Sequence, residues 1–287
     1  MIERLKENTY IKNLMLYASP MPGFLSGSSL KLIAVITMAI DHFAACIIYA
    51  MLVWHVLPFN ISFARLYEIY EVMRGIGRQA FPIYCFLLVE GFMHTRSRLK
   101  YLGNLTIFAL ISEIPFDIAL ECPPEYMDIP DVFILISECR EQFMSHQNVF
   151  FTLAIGMLCC WAADAFIKRF ADGWFMTLIC VLFAAGIGFA GFKLADVCNT
   201  DYHGIGVLLI YAMYALHWFR IPALGLGFAI LTRLNAELWS FPAFILMLFY
   251  NGKRGFLKKG TASKYFFYLF YPVHFILLAI IRILMLS

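Results

Sequence analysis

The stretch from Leu32 to Leu57 reads LIAVITMAIDHFAACIIYAMLVWHVL, and it is almost entirely apolar around Asp41 and His42. About 20 apolar residues are enough for a helix to cross a lipid bilayer. A helix that packs on the surface of a soluble core carries one charged face, and this stretch has none. The later blocks Leu102–Leu120 and Val149–Ile167 have none either. The pattern therefore predicts transmembrane helices.

The composition of the whole chain agrees with this interpretation. Of the 287 residues, 62% are hydrophobic and 14% are charged, whereas a soluble domain has about 45–50% apolar and about 25% charged residues. This excludes an ordinary water-soluble globule, a disordered chain and a nucleic-acid-binding protein. No hydrophilic stretch is long enough for a separate soluble domain. We expect an N-terminal cytoplasmic segment, residues 1–28, and one transmembrane domain, residues 29–287.

The sequence predicts an all-α, polytopic integral membrane bundle with about nine transmembrane helices, within a range of about eight to ten. In chain order the predicted spans are Ser29–Leu57, Gln79–Met93, Tyr101–Leu120, Val149–Ile167, Trp174–Phe192, Gly204–Trp218, Ile221–Thr232, Leu238–Tyr250 and Tyr265–Leu286. The seventh and eighth are short. They form either two spans or one re-entrant pair.

The charges of the loops orient these spans. Lys and Arg in short loops mark the cytoplasmic side of a membrane. Basic loops precede the first span and follow the second, fourth, sixth and eighth spans, whereas the loop Glu121–Asn148 is acidic. We therefore expect the N-terminus in the cytoplasm. The loop Pro58–Arg78 should be external yet is basic, and its pattern fits an amphipathic helix on the membrane surface.

The eight cysteines give no CxxC motif and no Cys/His metal spacing, so no metal is expected. Cys122 and Cys139 fall in the predicted outer loop. A disulfide between them is one alternative if that loop lies in an oxidising compartment, and two free thiols are the other.

His42 is the first candidate for chemistry. An ionisable group at membrane depth costs about 2.5–3.5 kcal/mol, so it is either functional or a hydrogen-bond partner between helices. Imidazole can act as a general base near neutral pH. Lys31 lies eleven residues earlier, on nearly the same helix face and about 16 Å away. Asp41 points about 100° away from His42, so we expect the orienting acid to come from another helix.

Other polar residues are predicted at the same depth. Glu113 and Asp117 are four residues apart and share a helix face. Asn148 and Asp201 stand where the fourth and sixth spans begin, and Arg78 where the second begins. We expect one polar pocket in the outer half of the membrane. Within it Arg78 would either pair with Glu113 or Asp117 or contact substrate.

A second group of polar residues is basic and mostly cytoplasmic. Such runs either signal topology and contact lipid headgroups, or they dock an anionic cofactor. The predicted cofactor-binding set is Lys31, Arg78, His94, Arg96, Lys100 and His274. His274 lies on the last span, where a structural hydrogen bond is the alternative role.

Seven motifs resemble the TraX family and together cover roughly residues 30 to 280. They are Leu30–His42 (LKLIAVITMAIDH), Gly77–Pro82 (GRQAFP), Phe86–Thr95 (FLLVEGFMHT), Phe108–Asp117 (FALISEIPFD), Gln147–Thr152 (QNVFFT), Asp201–Val207 (DYHGIGV) and Tyr265–His274 (YFFYLFYPVH). The namesake of that family acetylates the N-terminus of conjugative pilin at the inner membrane. TraX proteins are also similar to a superfamily of transmembrane acyltransferases that use cytosolic acetyl-CoA.

The resemblance implies an activity. In that superfamily a basic residue, ten further residues and a catalytic His share the first span, and Lys31 and His42 match these positions. It therefore implies an acetyl-CoA-dependent acyltransferase in the bacterial cytoplasmic membrane, surrounded by membrane lipids. The acceptor would be a protein N-terminus or an envelope glycan or lipid.

The predicted catalytic set is His42, Asp41, Glu113, Asp117, Asp201 and Asn148. His42 would deprotonate the acceptor, a carboxylate of the set would fix the His tautomer, and Asn148 or Arg78 would stabilise the oxyanion. An acyl-His42 intermediate is the alternative chemistry. Two other functions stay open: a proton-coupled transporter, and a non-catalytic partner of a conjugation or secretion system.

Overall fold

The computed structural model describes residues 23–57, 61–123, 132–143, 145–256 and 261–286. Within these ranges the regular structure is helical, and two isolated β-bridges join Leu25 to Tyr250 and Gln147 to Thr200. The predicted all-α class is therefore confirmed. Residues 1–22 of the predicted cytoplasmic segment lie outside the described ranges.

The α-helices are numbered here in chain order. They are α1 Gly27–Phe43, α2 Tyr49–Val53, α3 Phe63–Gly77, α4 Ala80–His94, α5 Arg98–Phe116, α6 Val132–Glu138, α7 Arg140–Phe143, α8 Val149–Phe170, α9 Gly173–Val197, α10 His203–Ala215, α11 Arg220–Leu231, α12 Phe241–Leu248 and α13 Thr261–Leu286. Two π-helical segments, Ala44–Ile48 and Asp117–Glu121, and a 3-10 helix, Asn235–Ser240, complete the secondary structure of the described residues.

Five helical stretches of the described residues are long and apolar enough to cross a membrane. They are Gly27–Val53, Arg98–Glu121, Val149–Phe170, Gly173–Val197 and Tyr265–Met285. The other four predicted spans coincide with shorter helices, α4, α10, α11 and the 3-10 helix followed by α12. The chain is therefore an all-helical protein of the membrane type, and the count of about nine spans stays a prediction.

The short helix α10 lies at the centre of the bundle and the long helix α9 at its edge. Val207, Leu209 and Ile210 of α10 are completely buried, and the helix packs against α4, α8, α9 and α11. By contrast, Leu182 and Phe189 of α9 have half or more of their surface exposed. A helix surrounded by protein can be short, whereas an apolar helix with exposed large side chains suits contact with lipid.

Helix α1 continues without a break into the first π-helical segment and then α2. Its start is capped by Ser26, whose hydroxyl accepts a hydrogen bond from the Ser29 amide (3.2 Å). The π-helical segment begins two residues after His42. Such segments are rare in α-helices and are frequent at functional sites.

The amphipathic pattern in the loop Pro58–Arg78 does form a helix, α3, whose membrane contact stays a prediction. Its Leu66 is buried in a small apolar cluster with Ile48 and Leu52 of the first helical stretch. Tyr67, on the same predicted apolar face, is half exposed. Helix α3 therefore packs along the first helical stretch and brings its C-terminal end beside Asp41 and His42.

Candidate functional site

The structure pairs His42 of α1 with His274 of α13. Nδ1 of His42 lies 2.6 Å from Nε2 of His274, and the two rings are nearly parallel, with an interplanar angle of 13°. Nδ1 of His274 lies 2.8 Å from the carbonyl oxygen of Phe270. Tyr271 meets the His42 ring edge-on and Phe275 packs against its face. Residues three and four apart on α13 thus present one aromatic face to His42.

The expectation that a carboxylate orients His42 is therefore wrong. The hydrogen bond to His42 comes from His274, which the sequence predicts to be a cofactor-binding residue. The physical reason is the register of α13, which turns His274 toward α1. The predicted acids Glu113, Asp117 and Asp201 belong to other parts of the same region.

Asp41 points away from His42, as its position next in sequence predicts. Its carboxylate forms an ion pair with Arg74 of α3 (2.7 Å). Gly77 of α3 lies directly against it, because a Cβ at position 77 would be 2.2 Å from the Asp41 carboxylate. Asp41 therefore joins α3 to α1 immediately beside the histidine pair.

Of the two alternatives for Arg78, the pairing with Glu113 or Asp117 is wrong. The Arg78 guanidinium binds the Glu237 carboxylate (3.0 Å), and the Tyr202 side chain lies close to it. Glu237 is 1% exposed, and burial raises the pKa of Glu237 to about 7. Arg78 precedes Glu237 by 159 residues, so no local pattern indicates this pair.

Glu113 and Asn148 are brought together where α8 begins. The Asn148 side chain caps α8 by accepting a hydrogen bond from the Phe150 amide (3.0 Å). Its amide nitrogen donates to the Glu113 carboxylate (2.5 Å) and to the carbonyl of Ala109 (2.8 Å). Asn148 is completely buried. Its amide is thus held rigidly between two helices.

Asp201 and Asp117 complete the predicted acidic set. The Asp201 backbone amide donates to the carbonyl of Gln147 (2.8 Å), and burial raises the pKa of its carboxyl. His146, near Asp201, binds Glu121 (3.3 Å), and this hydrogen bond raises the pKa of His146. Asp117 is 2% exposed, and its Oδ1 atom has no hydrogen-bond partner among the described residues.

We call this region the polar layer. Its members are Asp41, His42, Arg74, Arg78, Glu113, Asp117, His146, Asn148, Asp201, Tyr202, Glu237, Tyr271 and His274. The site set drawn from the sequence lacks Arg74, His146, Tyr202, Glu237 and Tyr271. The sequence gives one indication that Glu237 has a special role. It is a lone carboxylate next to an apolar block, and a carboxylate in that position is costly in a membrane protein.

The other predicted cofactor-binding residues lie toward the opposite end of the bundle. The Lys31 ammonium is 5.2 Å from the centre of the Phe267 ring. His94 is exposed and bonds to the carbonyl of Glu90 in its own helix, and Arg96 and Lys100 are exposed. The turn between α4 and α5 and the first residues of α5 therefore carry two cations, Arg96 and Lys100, that form no ion pair among the described residues.

An open apolar groove of about 420 Å³ runs beside the histidine pair. Residues of α1, α3 and α13 line it: Val35, Ile36, Ala39, Ile40, Phe43, Met73 and Phe270. It reaches the helix turn that carries His42, next to the carbonyl that binds His274. The groove gives the site a lateral face lined by apolar side chains.

The stretch of chain that carries the site also matches a known protein family. The family model described as TraX protein matches residues 26–282. The chain belongs to the TraX family. A probable fimbrial assembly protein, FimC of serogroup H1, from Dichelobacter nodosus is 30% identical over 271 residues, which covers 88% of this chain and 94% of that relative. No solved structure matches.

The matched range includes both helices that carry the histidine pair, from Ser26, which caps α1, to Arg282 of α13. The resemblance seen in the motifs is therefore confirmed at the level of the family. Placement in the wider acyltransferase superfamily stays a prediction.

Proposed function

We propose that this TraX-family protein is a membrane-bound acyltransferase. It transfers an acetyl group from acetyl-CoA to an amine or hydroxyl acceptor at the outer side of the cytoplasmic membrane. The observation that supports this most is the pairing of His42 with His274 inside the polar layer. A histidine whose ring is fixed by a second residue has the arrangement that a general base needs.

The proposed reaction has one proton transfer and one acyl transfer. His42 takes a proton from the acceptor nitrogen or oxygen while that atom attacks the thioester carbonyl. The carbon–sulfur bond then breaks, and the CoA thiolate leaves and receives the proton from His42. The Asn148 amide donates both of its hydrogens to Glu113 and Ala109, so Arg78, the other predicted donor, is the candidate for stabilising the oxyanion, a role worth about 3–4 kcal/mol when one such donor is lost.

The cytoplasmic cations and the acceptor complete the proposal. Arg96 and Lys100, together with Lys31, would hold the phosphates of acetyl-CoA by charge. The D. nodosus relative is named a fimbrial assembly protein, which favours the N-terminus of a pilus or fimbrial subunit as acceptor. An envelope glycan or lipid is the other acceptor class.

Loss of the thioester from acetyl-CoA tests the activity directly. The protein is purified in detergent and given acetyl-CoA with a peptide that has a free N-terminus, and the released thiol is measured. We expect release by the wild type and at least a 100-fold slower rate for His42→Ala. His55→Asn is the matched control, because His55 is exposed and its positive φ is one that Asn tolerates.

The result that contradicts the proposal is equally definite. Equal rates for wild type and His42→Ala would remove His42 from the chemistry. No thiol release, combined with proton-driven uptake into vesicles that His42→Ala abolishes, would favour the transporter instead.

A further inference from the structure

We propose that His274 is a positioning residue that holds His42 in one tautomer, with the proton on Nδ1 and a free lone pair on Nε2. This inference rests on the proposed function for its catalytic meaning, but the tautomer itself follows from contacts. Three groups in a row decide it: the Phe270 carbonyl, the His274 ring and the His42 ring.

The carbonyl of Phe270 sets the first proton. A carbonyl oxygen accepts hydrogen bonds and cannot donate them. Since Nδ1 of His274 lies 2.8 Å from that oxygen, Nδ1 of His274 carries a hydrogen. In a neutral imidazole the second nitrogen then has a lone pair. Nε2 of His274 is thus an acceptor, and it faces His42.

The short contact between the rings sets the second proton. Nδ1 of His42 and Nε2 of His274 are 2.6 Å apart, too close for two facing lone pairs. Nδ1 of His42 therefore donates, and Nε2 of His42 keeps its lone pair. Both rings are neutral in this arrangement, because within the described residues they bind each other and backbone carbonyl oxygens, and no carboxylate binds either ring to stabilise an imidazolium.

The arrangement replaces the carboxylate that usually orients a catalytic histidine. A carboxylate would fix the same tautomer but would add a charge beneath the ring. Here a backbone carbonyl, which buries no charge, orients His274, and His274 in turn orients His42 through the hydrogen bond between the rings. In the proposed reaction Nε2 of His42 is the atom that takes the acceptor proton and returns it to the CoA thiolate.

The tautomer is measured on the intact protein in lipid bilayers by solid-state NMR with ¹⁵N-histidine. Protonated and bare ring nitrogens give well-separated signals, and the His42 signals are assigned by their loss in His42→Ala. We expect a protonated Nδ1 and a bare Nε2 for His42. A protonated Nε2 with a bare Nδ1 would overturn the inference, whatever the activity of the protein.

Two variants of matched polarity test the positioning role. His274→Gln places an amide near the position of Nε2 and retains an acceptor for His42, whereas the shorter His274→Asn leaves that position empty. We expect Gln to keep the Nδ1-protonated signals of His42 and Asn to give a mixture of tautomers. For thioester loss we expect Asn to lower kcat at least about tenfold with KM for acetyl-CoA unchanged, and Gln to restore most of it.

The two readouts separate failure of this inference from failure of the proposed function. A wild type with the expected tautomer but no thioester loss contradicts the proposed function and keeps the tautomer assignment. Equal kcat values for His274→Asn and the wild type would contradict the positioning role. The same kcat loss in Gln and Asn, with unchanged His42 signals in both, would also contradict it, because it would indicate a merely structural residue.

Discussion

At the scale of single residues, Gly77 is what lets Asp41 reach Arg74. A Cβ at this position would lie 2.2 Å from the Asp41 carboxylate, so the ion pair and the approach of α3 to α1 both depend on glycine. We expect Gly77→Ala to cost about 1–3 kcal/mol through overpacking and to lower the Tm of the protein in detergent. The thermal melt of the purified variant measures this.

The matched control is Gly103→Ala. A Cβ at position 103 would meet nothing within 4 Å, and Gly103 lies inside α5. Alanine there should leave the Tm unchanged or raise it slightly, because Ala favours a helix by about 1 kcal/mol over Gly. Equal melts for the two variants would contradict the close contact between α3 and Asp41.

Glu237 makes the stability of the protein depend on pH, and the raised pKa of Glu237 decides the direction of that dependence. Burial raises the pKa of Glu237 from 4.5 to about 7. Between these values the folded chain keeps a proton that the unfolded chain has released, so its unfolding free energy falls as pH rises from about 4.5 to about 7. We expect the Tm of the wild type to fall through this window relative to the Tm of Glu237→Gln, which stays neutral.

The comparison between the two proteins isolates this carboxyl, because every other titrating group is common to both. A Tm difference that stays constant from pH 4.5 to pH 7 would show that Glu237 ionises at its ordinary pKa. The Arg78 ion pair would then outweigh the effect of burial.

At the scale of helices, the sequence predicts where helices occur better than it predicts their irregularities. Long apolar runs have one stable backbone in lipid, so each predicted span coincides with helix in the described residues. The π-helical segments are not evident from the sequence. One begins two residues after Pro115, which lacks an amide hydrogen, but the other follows His42 with no proline nearby.

The same contrast holds for the contacts of the site. The sequence could predict that Glu113 and Asn148 lie in one region. Glu113 falls near the end of the third predicted span and Asn148 directly before the fourth, so both lie toward the same side of the membrane. The partners Arg78–Glu237 and His42–His274 could not, since they are 159 and 232 residues apart. Pairs this distant are set by how helices pack, and one sequence alone does not reveal that packing.

The segment that connects α5 to α8, which is predicted to be external, carries the cysteine pair. The Sγ atoms of Cys122 and Cys139 lie 2.9 Å apart, and both residues are at most 1% exposed in an apolar cluster with Leu135 and Phe143. We expect a disulfide here when this segment faces an oxidising compartment. Closing a loop of this size adds roughly 3 kcal/mol, so reduction should lower the Tm.

The oxidation state of the cysteine pair is measured in protein isolated from membranes, by alkylation with and without reductant followed by mass spectrometry. Cys198 is the internal control, because it is exposed and should be alkylated in both conditions. Alkylation of both Cys122 and Cys139 without reductant would contradict the expected disulfide.

At the scale of the whole molecule, polar contacts define two ends of the bundle. At one end Arg98 pairs with Asp164, where α5 begins and α8 ends. At the other end Asn148 binds Glu113, where α8 begins and α5 ends. These two helices are therefore antiparallel, as alternating spans require, and the polar layer lies at the end predicted to be external.

The same reasoning predicts that α11 and α12 cross the membrane separately. The turn between them reaches the polar layer, because Trp239 packs against Gly75 and Glu237 binds Arg78. We expect a cysteine at Asn235, an exposed position of that turn, to be labelled by an impermeant maleimide added outside right-side-out spheroplasts. The background carries Cys198→Ser, and Ser145→Cys is the positive control on the same side.

Arg96→Cys, in the exposed basic turn between α4 and α5, is the opposite control and should be labelled only after permeabilisation. An Asn235→Cys protein that behaves like Arg96→Cys would mean that the turn does not open to the outside, and the region would then be a re-entrant pair. Labelling like Ser145→Cys requires two crossings, because Tyr250, which follows α12, bridges to Leu25 where α1 begins. The position of one turn thus decides between the two topologies left open by the sequence.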